Sequence, residues 1–230
     1  SRTPWTRRFR EGATIGPGGE HISDLPGWTL ANWDDLVLKP ERGYSGIGVR
    51  VGGVNEDARE AIDLASDHGG YIVQEKIPLD LWAEDNPAAD PESRSVVLER
   101  YQTDFRCLMG PDGLFGFLVR FGGVPTNVGS GGGVQPLAVL DSEMTVRDAV
   151  SRINEAVLGI GYGDLKEIIL EQEKMALEER FTYLLGPIRM AIRPRIITRG
   201  HLTSLERYCR CMWNDARTLE RMWFDGALDD

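Results

Sequence analysis

Short apolar runs that alternate with polar positions dominate the first 140 residues, and a helical spacing of apolar residues dominates the rest. The runs at residues 35–39 and 50–51 predict two strands joined by a glycine-rich turn, and residues 71–77 predict a third strand. Between them, apolar positions three and four apart predict a helix over residues 56–68, which a glycine pair ends. This part of the chain therefore predicts an α+β fold with antiparallel sheets.

More strands are predicted after a polar loop. The loop covers residues 81–95, which are rich in proline, aspartate and alanine, and strands are expected at residues 96–98, 103–109 and 114–121. The sequence Pro-Asp-Gly at residues 111–113 predicts a tight turn, because proline presets φ and glycine accepts a positive φ. The last two of these strands should therefore form a hairpin.

After residue 141 the pattern becomes helical, and helices are predicted at residues 144–158, 164–185 and 198–224. The last helix carries an apolar seam that requires a partner, either the 164–185 helix, which the short connection favours, or a second copy of the chain. We therefore expect a boundary near residue 141, followed by a helical module for packing or association, with a homo-oligomer as one outcome. The seam consists of Leu202, Leu205, Cys209, Met212, Ala216, Leu219 and Trp223.

Composition narrows the class of protein. The chain of 230 residues is 41% hydrophobic, which is typical of a globular protein. Its formal charge of −10 disfavours binding to nucleic acid. Its longest apolar stretch is far shorter than the roughly 20 residues of a membrane helix, so no membrane partner is expected. Three cysteines predict no disulfide framework and favour the cytoplasm. Because the chain begins with Ser1, we also expect it to be a piece of a longer protein.

The most informative motif joins the end of a strand to a glycine-rich turn. Lys39 supplies a positive charge suited to a phosphate, and the glycines after it let backbone N–H groups approach phosphate oxygens closely. The pattern is neither a Walker A loop nor a dinucleotide-binding fingerprint. An irregular hairpin turn beside an ordinary surface lysine would give the same pattern. The turn contains Gly43, Tyr44, Ser45, Gly46 and Gly48.

A second motif lies at the end of the strand that follows the first helix. Gln74, Glu75, Lys76 and Ile77 come about 35 residues after Lys39. The backbone at a strand end can offer one carbonyl and one N–H group to the edge of an adenine, with apolar side chains against the ring. An ordinary charged strand end is the simpler alternative.

A third motif combines two arginines with a run of glycines. Arg106 and Arg120 are expected on paired strands, where their planar guanidinium groups would suit phosphate or carboxylate oxygens. Salt bridges to Asp104 or Glu99 are the structural alternative. Asn127 precedes four closely spaced glycines, whose loss of backbone entropy on folding has to be offset by some interaction.

Taken in order, these motifs resemble the ATP-grasp superfamily, and more narrowly the C-terminal half of circularly permuted ATP-grasp proteins. The resemblance covers about residues 1–140 and depends on five segments. They are Pro-Trp-Thr-Arg-Arg at 4–8, Leu-Val-Leu-Lys-Pro at 36–40, Tyr-Ser-Gly-Ile-Gly-Val at 44–49, Tyr-Ile-Val-Gln-Glu-Lys-Ile-Pro at 71–78 and Asn-Val-Gly-Ser-Gly-Gly-Gly at 127–133.

The resemblance implies two α+β lobes that clamp ATP, with Mg²⁺ as a second cofactor. It implies that Lys39 contacts the phosphates, that residues 43–48 form a lid, and that residues 74–77 together with Asp80 hold the nucleotide. Arg106, Arg120 and Asn127 take the catalytic positions. The implied activity is that of a ligase, which joins a carboxylate of a small molecule or peptide to an amine or thiol through an acyl phosphate.

One departure from the family leaves an alternative open. The acidic magnesium ligands of the superfamily have no clear match, since Glu143 and Asn154 lie on a predicted helix, and only 38 residues precede Lys39. In permuted members these ligands lie upstream of the lysine motif. The alternative is therefore a catalytically incomplete nucleotide-binding or assembly module that needs missing upstream sequence or a partner.

Overall fold

The structure is a computed structural model that describes residues 3–44, 46–54, 57–78, 83–124, 126, 128, 131–183 and 186–227. The chain divides into two compact units, the N-terminal unit Ser1–Leu81 and the C-terminal unit Trp82–Asp230. The fold is α+β, with antiparallel and mixed sheets and a long final helix. No helix within these described residues combines the length and the apolar character that crossing a membrane requires.

The N-terminal unit is built on a four-stranded sheet with the order β1-β6-β4-β5, in which every pairing is antiparallel. A small hairpin, two helices and one 3₁₀ turn at Trp33–Asp35 complete it. The elements are β1 (Thr6–Phe9), β2 (Thr14–Ile15), β3 (His21–Ile22), α1 (Leu25–Ala31), β4 (Leu36–Pro40), β5 (Arg50–Val51), α2 (Ala58–His68) and β6 (Tyr71–Glu75). The predicted strand, glycine turn, strand, helix and strand are all confirmed.

One face of this sheet forms the core of the unit. Leu38 and Val73 are directly paired and fully buried, and they pack with residues of α1 and α2 such as Leu25 and Ala61. Because side chains alternate along a strand, Lys39 and Gln74 lie on the opposite face. The sequence pattern that builds the core therefore also sends the candidate residues to the other side of the sheet.

The C-terminal unit contains a five-stranded sheet with the order β14-β10-β9-β8-β7 and two small two-stranded sheets. Three helices complete it, and the longest, α5, begins at an N-cap made by the Thr198 hydroxyl. The elements are β7 (Ala83–Asp90), β8 (Ser95–Gly110), β9 (Gly113–Gly122), β10 (Gly133–Gln135), β11 (Leu137–Leu140), α3 (Val146–Leu158), α4 (Tyr162–Glu178), β12 (Thr182–Tyr183), β13 (Gly186–Pro187), β14 (Arg189–Met190), β15 (Arg195–Thr198) and α5 (Arg199–Phe224).

The prediction of a polar loop at residues 81–95 is wrong, because residues 83–90 form the strand β7. All eight residues of β7 pair with β8. Its polar composition hid the strand, since Glu84 and Asn86 make buried polar contacts instead of apolar ones. Pro87 is tolerated because β7 is an edge strand of the sheet. The strands predicted at 96–98 and 103–109 are parts of the single strand β8, while the turn at 111–113 is confirmed.

The helix predicted at 164–185 ends earlier, at Glu178. Arg180 takes a positive φ of 56°, which stops the helix, and β12 and β13 then form a short hairpin. Helix α3 agrees with its prediction within two residues, and α5 agrees within one.

The helix α5 packs against β8, β9 and β15. The prediction that it packs mainly against the 164–185 helix is therefore wrong. Cys209, in the middle of the seam, is buried, and its thiol is hydrogen-bonded to that of Cys107 on β8. Beyond Trp213 the seam is exposed, since Leu219 and Trp223 are accessible to solvent, and so is the adjacent Phe224. The expected association of copies through this helix stays a prediction.

The compact units divide at a different place from the boundary expected near residue 141. Strands β7 to β11, which precede that point, belong to the same unit as α3, α4 and α5. Strand β11, which ends at Leu140, pairs in parallel with β15, so the segments before and after residue 141 share a sheet within the C-terminal unit.

Candidate functional site

The turn between β4 and β5 has the backbone conformation that its glycines predict. Gly46 and Gly48 have φ values of 75° and 77°, in the left-handed region that favours glycine. A Cβ on Gly48 would also lie 2.9 Å from Pro40 Cγ and 3.1 Å from the Tyr71 hydroxyl. Gly43 has only ordinary contacts, and Tyr44 is 76% exposed, so the turn projects into solvent. Ser45 lies outside the described residues.

Three polar side chains form a chain of hydrogen bonds on the face of the sheet opposite the core. Lys39 Nζ donates to Gln74 Oε1 at 2.6 Å, and Gln74 Nε2 donates to the Thr6 hydroxyl at 2.8 Å. Thr6 is directly opposite Gln74, and Lys39 is opposite Ile72. Lys39 and Gln74 are 35 positions apart in sequence, and it is the antiparallel pairing of β4 with β6 that brings them together.

Lys39 is half-buried, and burial lowers the pKa of its ammonium group below the ordinary value. Gln74 is neutral, and among the described residues no carboxylate forms an ion pair with Lys39. A buried ammonium without a counter-charge is costly in free energy, and a bound anion would remove that cost. The position therefore has the electrostatics of an anion site next to a glycine turn.

The residues after Gln74 are largely used within the unit. The Glu75 N–H donates to Trp5 O at 2.9 Å, and the Lys76 N–H donates to Asp35 O at 2.7 Å. The ammonium of Lys76 donates to Gly52 O at 2.7 Å, so it stabilises the segment that follows β5. Ile77 is 51% exposed, which leaves an apolar side chain available to a ligand. Asp80 lies outside the described residues.

In the C-terminal unit, Arg120 forms a two-point salt bridge with the opposite residue of β8, Asp104. Its Nε and Nη2 donate to the two carboxylate oxygens at 2.9 Å and 2.6 Å, and the Thr126 hydroxyl donates to the same carboxylate. This is the salt bridge that the sequence left open as an alternative. Arg106 shares this face of the sheet, opposite Leu118, and is exposed. The two arginines are therefore diagonal neighbours, and Asn127 lies outside the described residues.

The glycines at the end of this segment are explained by close packing. A Cβ on Gly133 would collide with the carbonyl oxygen of Arg189 and would lie 2.6 Å from the Phe121 ring. A Cβ on Gly122 would lie 3.0 Å from the Cα of Gly132. The close approach of β9, β10 and β14 therefore accounts for Gly122 and Gly133 without a ligand.

A buried ionic cluster lies at the start of β7, where the sequence predicted a loop. The carboxylate of Glu84 accepts from Arg193 Nη2 at 2.8 Å and also forms an ion pair with Arg195. Arg193 is completely buried, and Arg195 is mostly buried. The sequence pattern did not point to these residues. The only sign of the cluster in the sequence was the pair Arg193 and Arg195 on either side of a proline. An acidic residue such as Glu84 in an apparent loop does not indicate a buried ion pair.

A second set of polar side chains extends this cluster. Gln135 Nε2 donates to Asn86 Oδ1 at 3.1 Å and to the Arg193 carbonyl at 3.0 Å. Asn154 Nδ2, on α3, donates to the Asp85 carbonyl at 3.1 Å. Asn154 lies on the buried side of an amphipathic helix, so a polar residue within an apolar stripe was the sequence signal available for it.

The two cofactors implied by the resemblance differ in how well the described residues fit them. ATP phosphates fit the combination of Lys39 with the positive-φ glycines. For a metal ion, no group of three His, Cys, Asp or Glu side chains comes together in the part of the chain that the structure describes. These residues do not fit a magnesium site on their own. Comparison with protein-family models, with curated proteins and with solved structures found no match.

Proposed function

We propose that the N-terminal unit binds the phosphates of ATP, and that the chain belongs to an ATP-dependent ligase that joins a carboxylate to an amine or thiol. The observation that carries the proposal is Lys39, which is half-buried, has a lowered pKa and hydrogen-bonds to a neutral glutamine next to a glycine turn. The ordered motifs of the sequence support it independently.

The physical argument concerns the free energy of an unpaired charge. A phosphate group next to Lys39 supplies the counter-charge that Gln74 lacks, and the backbone N–H groups of the turn can approach its oxygens without a Cβ in the way. Part of the cost of burying the lysine is then recovered on binding. Binding of ATP should therefore raise the pKa of Lys39 and take up a proton at alkaline pH.

The reaction class is acyl transfer through a phosphorylated carboxylate. The substrate carboxylate attacks the γ-phosphorus and ADP leaves, after which the amine or thiol attacks the acyl carbon and inorganic phosphate leaves. Arg106 is exposed and suited to hold a carboxylate or phosphate oxygen, whereas Arg120 is already paired with Asp104. Magnesium stays an expectation from the resemblance.

Two acidic residues that already bind partners within the chain favour a second candidate function. Asp104 is held by Arg120 and Thr126, and Glu75 accepts a hydrogen bond from the Trp5 N–H at 3.3 Å. Both carboxylates thus have partners within their own unit. A nucleotide-binding or assembly module that depends on another chain for turnover agrees with this arrangement.

For both candidate functions, the three free cysteines favour a reducing compartment, and we propose that the protein is cytoplasmic.

Titration calorimetry of the whole chain with Mg-ATP tests the binding step. Lys39→Ala should weaken nucleotide affinity by about tenfold or more, the loss expected for a charge-assisted hydrogen bond. Lys166→Ala, on the exposed face of α4, is the matched control and should leave affinity unchanged. Equal affinity of the Lys39 variant and the wild type would show that the lysine assignment is wrong.

Release of ADP separates the two functions. The wild-type chain is incubated with Mg-ATP and mixtures of amino acids or peptides, and ADP is measured over time. Turnover that depends on the added substrate supports the ligase. Binding of ATP without turnover supports the module that needs a partner.

A further inference from the structure

A groove of about 370 Å³ on the C-terminal unit is lined by residues of α3 and of the first part of β7. This volume is in the lower part of the range for small-molecule sites. The apolar part of the lining consists of Leu98, Val150 and Leu158. The remaining lining is polar and includes Asp85, Asn154, Glu155 and Arg193.

Asn154 occupies a position of α3 that packing alone would assign to an apolar residue. It is 8% exposed and lies on the same side of the helix as the buried Ala149 and Val157. Its Nδ2 donates to the Asp85 carbonyl at 3.1 Å, but its Oδ1 is buried without a hydrogen-bond donor among the described residues. A buried acceptor without a partner is costly and is rare in folded proteins.

Arg193, which also lines this groove, has a buried donor without an acceptor among the groups that the structure describes. It is completely buried, and its Nη2 donates to Glu84 at 2.8 Å and to the Asp85 carbonyl at 3.4 Å. Its Nε is buried without an acceptor in the described part of the chain. Asn154 and Arg193 therefore share one carbonyl oxygen as an acceptor, and each side chain keeps one buried polar atom without a partner among the described residues.

The charges around the groove favour a cationic guest. The groove is lined by three carboxylates, those of Glu84, Asp85 and Glu155, and by one guanidinium, that of Arg193, so negative side chains are in excess there. Glu84 is shared between Arg193 and Arg195, which leaves Asp85 and Glu155 to face a positive guest. Glu155, on the exposed side of α3, lines the groove and has no ion-pair partner among the residues described. A protonated amine placed here would pair with Glu155 and donate to Asn154 Oδ1.

We propose that this groove binds an aminoacyl group with a free α-ammonium, such as the amino-terminal residue of a peptide or an amino-acid amide. Because both unpaired atoms are buried in the free chain, binding requires the side chains of Asn154 and Arg193 to shift until Oδ1 and Nε face the groove. The ammonium then donates to Asn154 Oδ1 and pairs with Glu155, and the adjacent carbonyl accepts from Arg193 Nε. An apolar side chain on the same residue packs against Leu98, Val150 and Leu158. All residues of this site belong to the C-terminal unit.

The test uses the whole chain labelled with ¹⁵N and three small probes that differ in one feature each. L-Leucinamide has the ammonium, the carbonyl and the apolar side chain. N-acetyl-L-leucinamide lacks the ammonium, and 3-methylbutylamine lacks the carbonyl. Leucinamide should shift the side-chain amide signals of Asn154 and should bind at least about fivefold more tightly than either analogue.

Two variants and one control locate the binding. Asn154→Leu removes the acceptor, and Glu155→Gln removes the charge at an exposed position where folding is not at stake. Each should weaken binding of leucinamide about fivefold or more, while Glu167→Gln on α4 should leave it unchanged. Equal binding of the three probes, unchanged affinity in Glu155→Gln, or no response to leucinamide at millimolar concentration would each overturn the proposal. In the last case water satisfies the two unpaired atoms.

Discussion

Lys39 and Gln74 lie diagonally across the paired strands β4 and β6, and the ammonium of the lysine donates to the amide oxygen of the glutamine at 2.6 Å. The glutamine is in turn held by Thr6 at 2.8 Å. A lysine placed in this way is positioned by neutral groups, so its charge is not cancelled. This arrangement costs folding free energy and leaves the charge available to a ligand.

Removing the charge of Lys39 should stabilise the chain at neutral pH. Burial lowers the pKa of Lys39 below 10.5, so between the lowered pKa and 10.5 the unfolded chain binds more protons than the folded one. The unfolding free energy of the wild type relative to Lys39→Met should therefore rise with pH between the lowered pKa and 10.5. The destabilisation of the wild type by the lysine charge should be greatest below that pH range. Urea unfolding of both proteins from neutral pH to about pH 10 measures the difference. A difference that does not change with pH would contradict this prediction.

Gly52→Ala should destabilise the N-terminal unit. A Cβ at this position would collide with the carbonyl oxygen of Trp33 and would lie 3.0 Å from the carbonyl oxygen of Leu36, and neither backbone group can turn away. We expect a loss of about 1–3 kcal/mol or more in unfolding free energy, as for overpacked sites. Gly43→Ala, which meets only ordinary contacts of 3.7 Å or longer, is the control. Equal stability of the two variants would show that the backbone there adapts freely.

The pair Asp104–Arg120 should show a larger coupling energy than an exposed pair in the same sheet. The two-point geometry and partial burial favour about 1–2 kcal/mol, whereas exposed pairs give at most about 1 kcal/mol. Asp85–Arg100, at 3.3 Å with both side chains more than half exposed, is the comparison. Double-mutant cycles with alanine, followed by urea unfolding, measure both couplings. Equal couplings would mean that the geometry of Arg120 adds nothing to stability.

Glu84→Ala should be among the most destabilising single substitutions in the C-terminal unit. It leaves the completely buried guanidinium of Arg193 without its carboxylate, and loss of one partner of a buried pair costs about 3–5 kcal/mol. Because Arg195 also pairs with Glu84, the triple variant Glu84→Leu, Arg193→Met and Arg195→Met should recover much of this loss. Glu220→Ala in the exposed pair with Arg217 is the control, with an expected effect of at most about 1 kcal/mol. A small effect of Glu84→Ala would show that water reaches Arg193.

Cys107 should be unreactive at mildly alkaline pH. Burial first, and then its hydrogen bond and electrostatic interaction with Cys209, raise the pKa of its thiol to about 11. At pH 8 only about one molecule in a thousand then carries the thiolate, which is the nucleophile. Alkylation by iodoacetamide, followed by mass spectrometry, should therefore be far slower at Cys107 than for N-acetylcysteine at the same pH. Reaction at the rate of the free amino acid would contradict the burial of this thiol.

The sequence by itself determined the local elements whose signals are confined to neighbouring residues. The glycines of the turn after Lys39, the glycine pair that ends α2 and the Pro-Asp-Gly turn each act on the backbone within a few residues. The elements around them were therefore predictable, with boundaries accurate within a few residues. The same signals selected the candidate residues of the N-terminal unit.

Only the tertiary structure decided which residues meet across long separations. Strand β7 was hidden because Glu84 and Asn86 bind polar partners about 50 to 110 positions away, and a polar residue looks the same in sequence whether it faces solvent or a buried arginine. For the same reason α5 found its partner in a sheet instead of a helix, because an apolar seam specifies burial without specifying against what. The pairing of Arg120 with Asp104 and the unpaired atoms of Asn154 and Arg193 likewise depend on distances that exist only after folding.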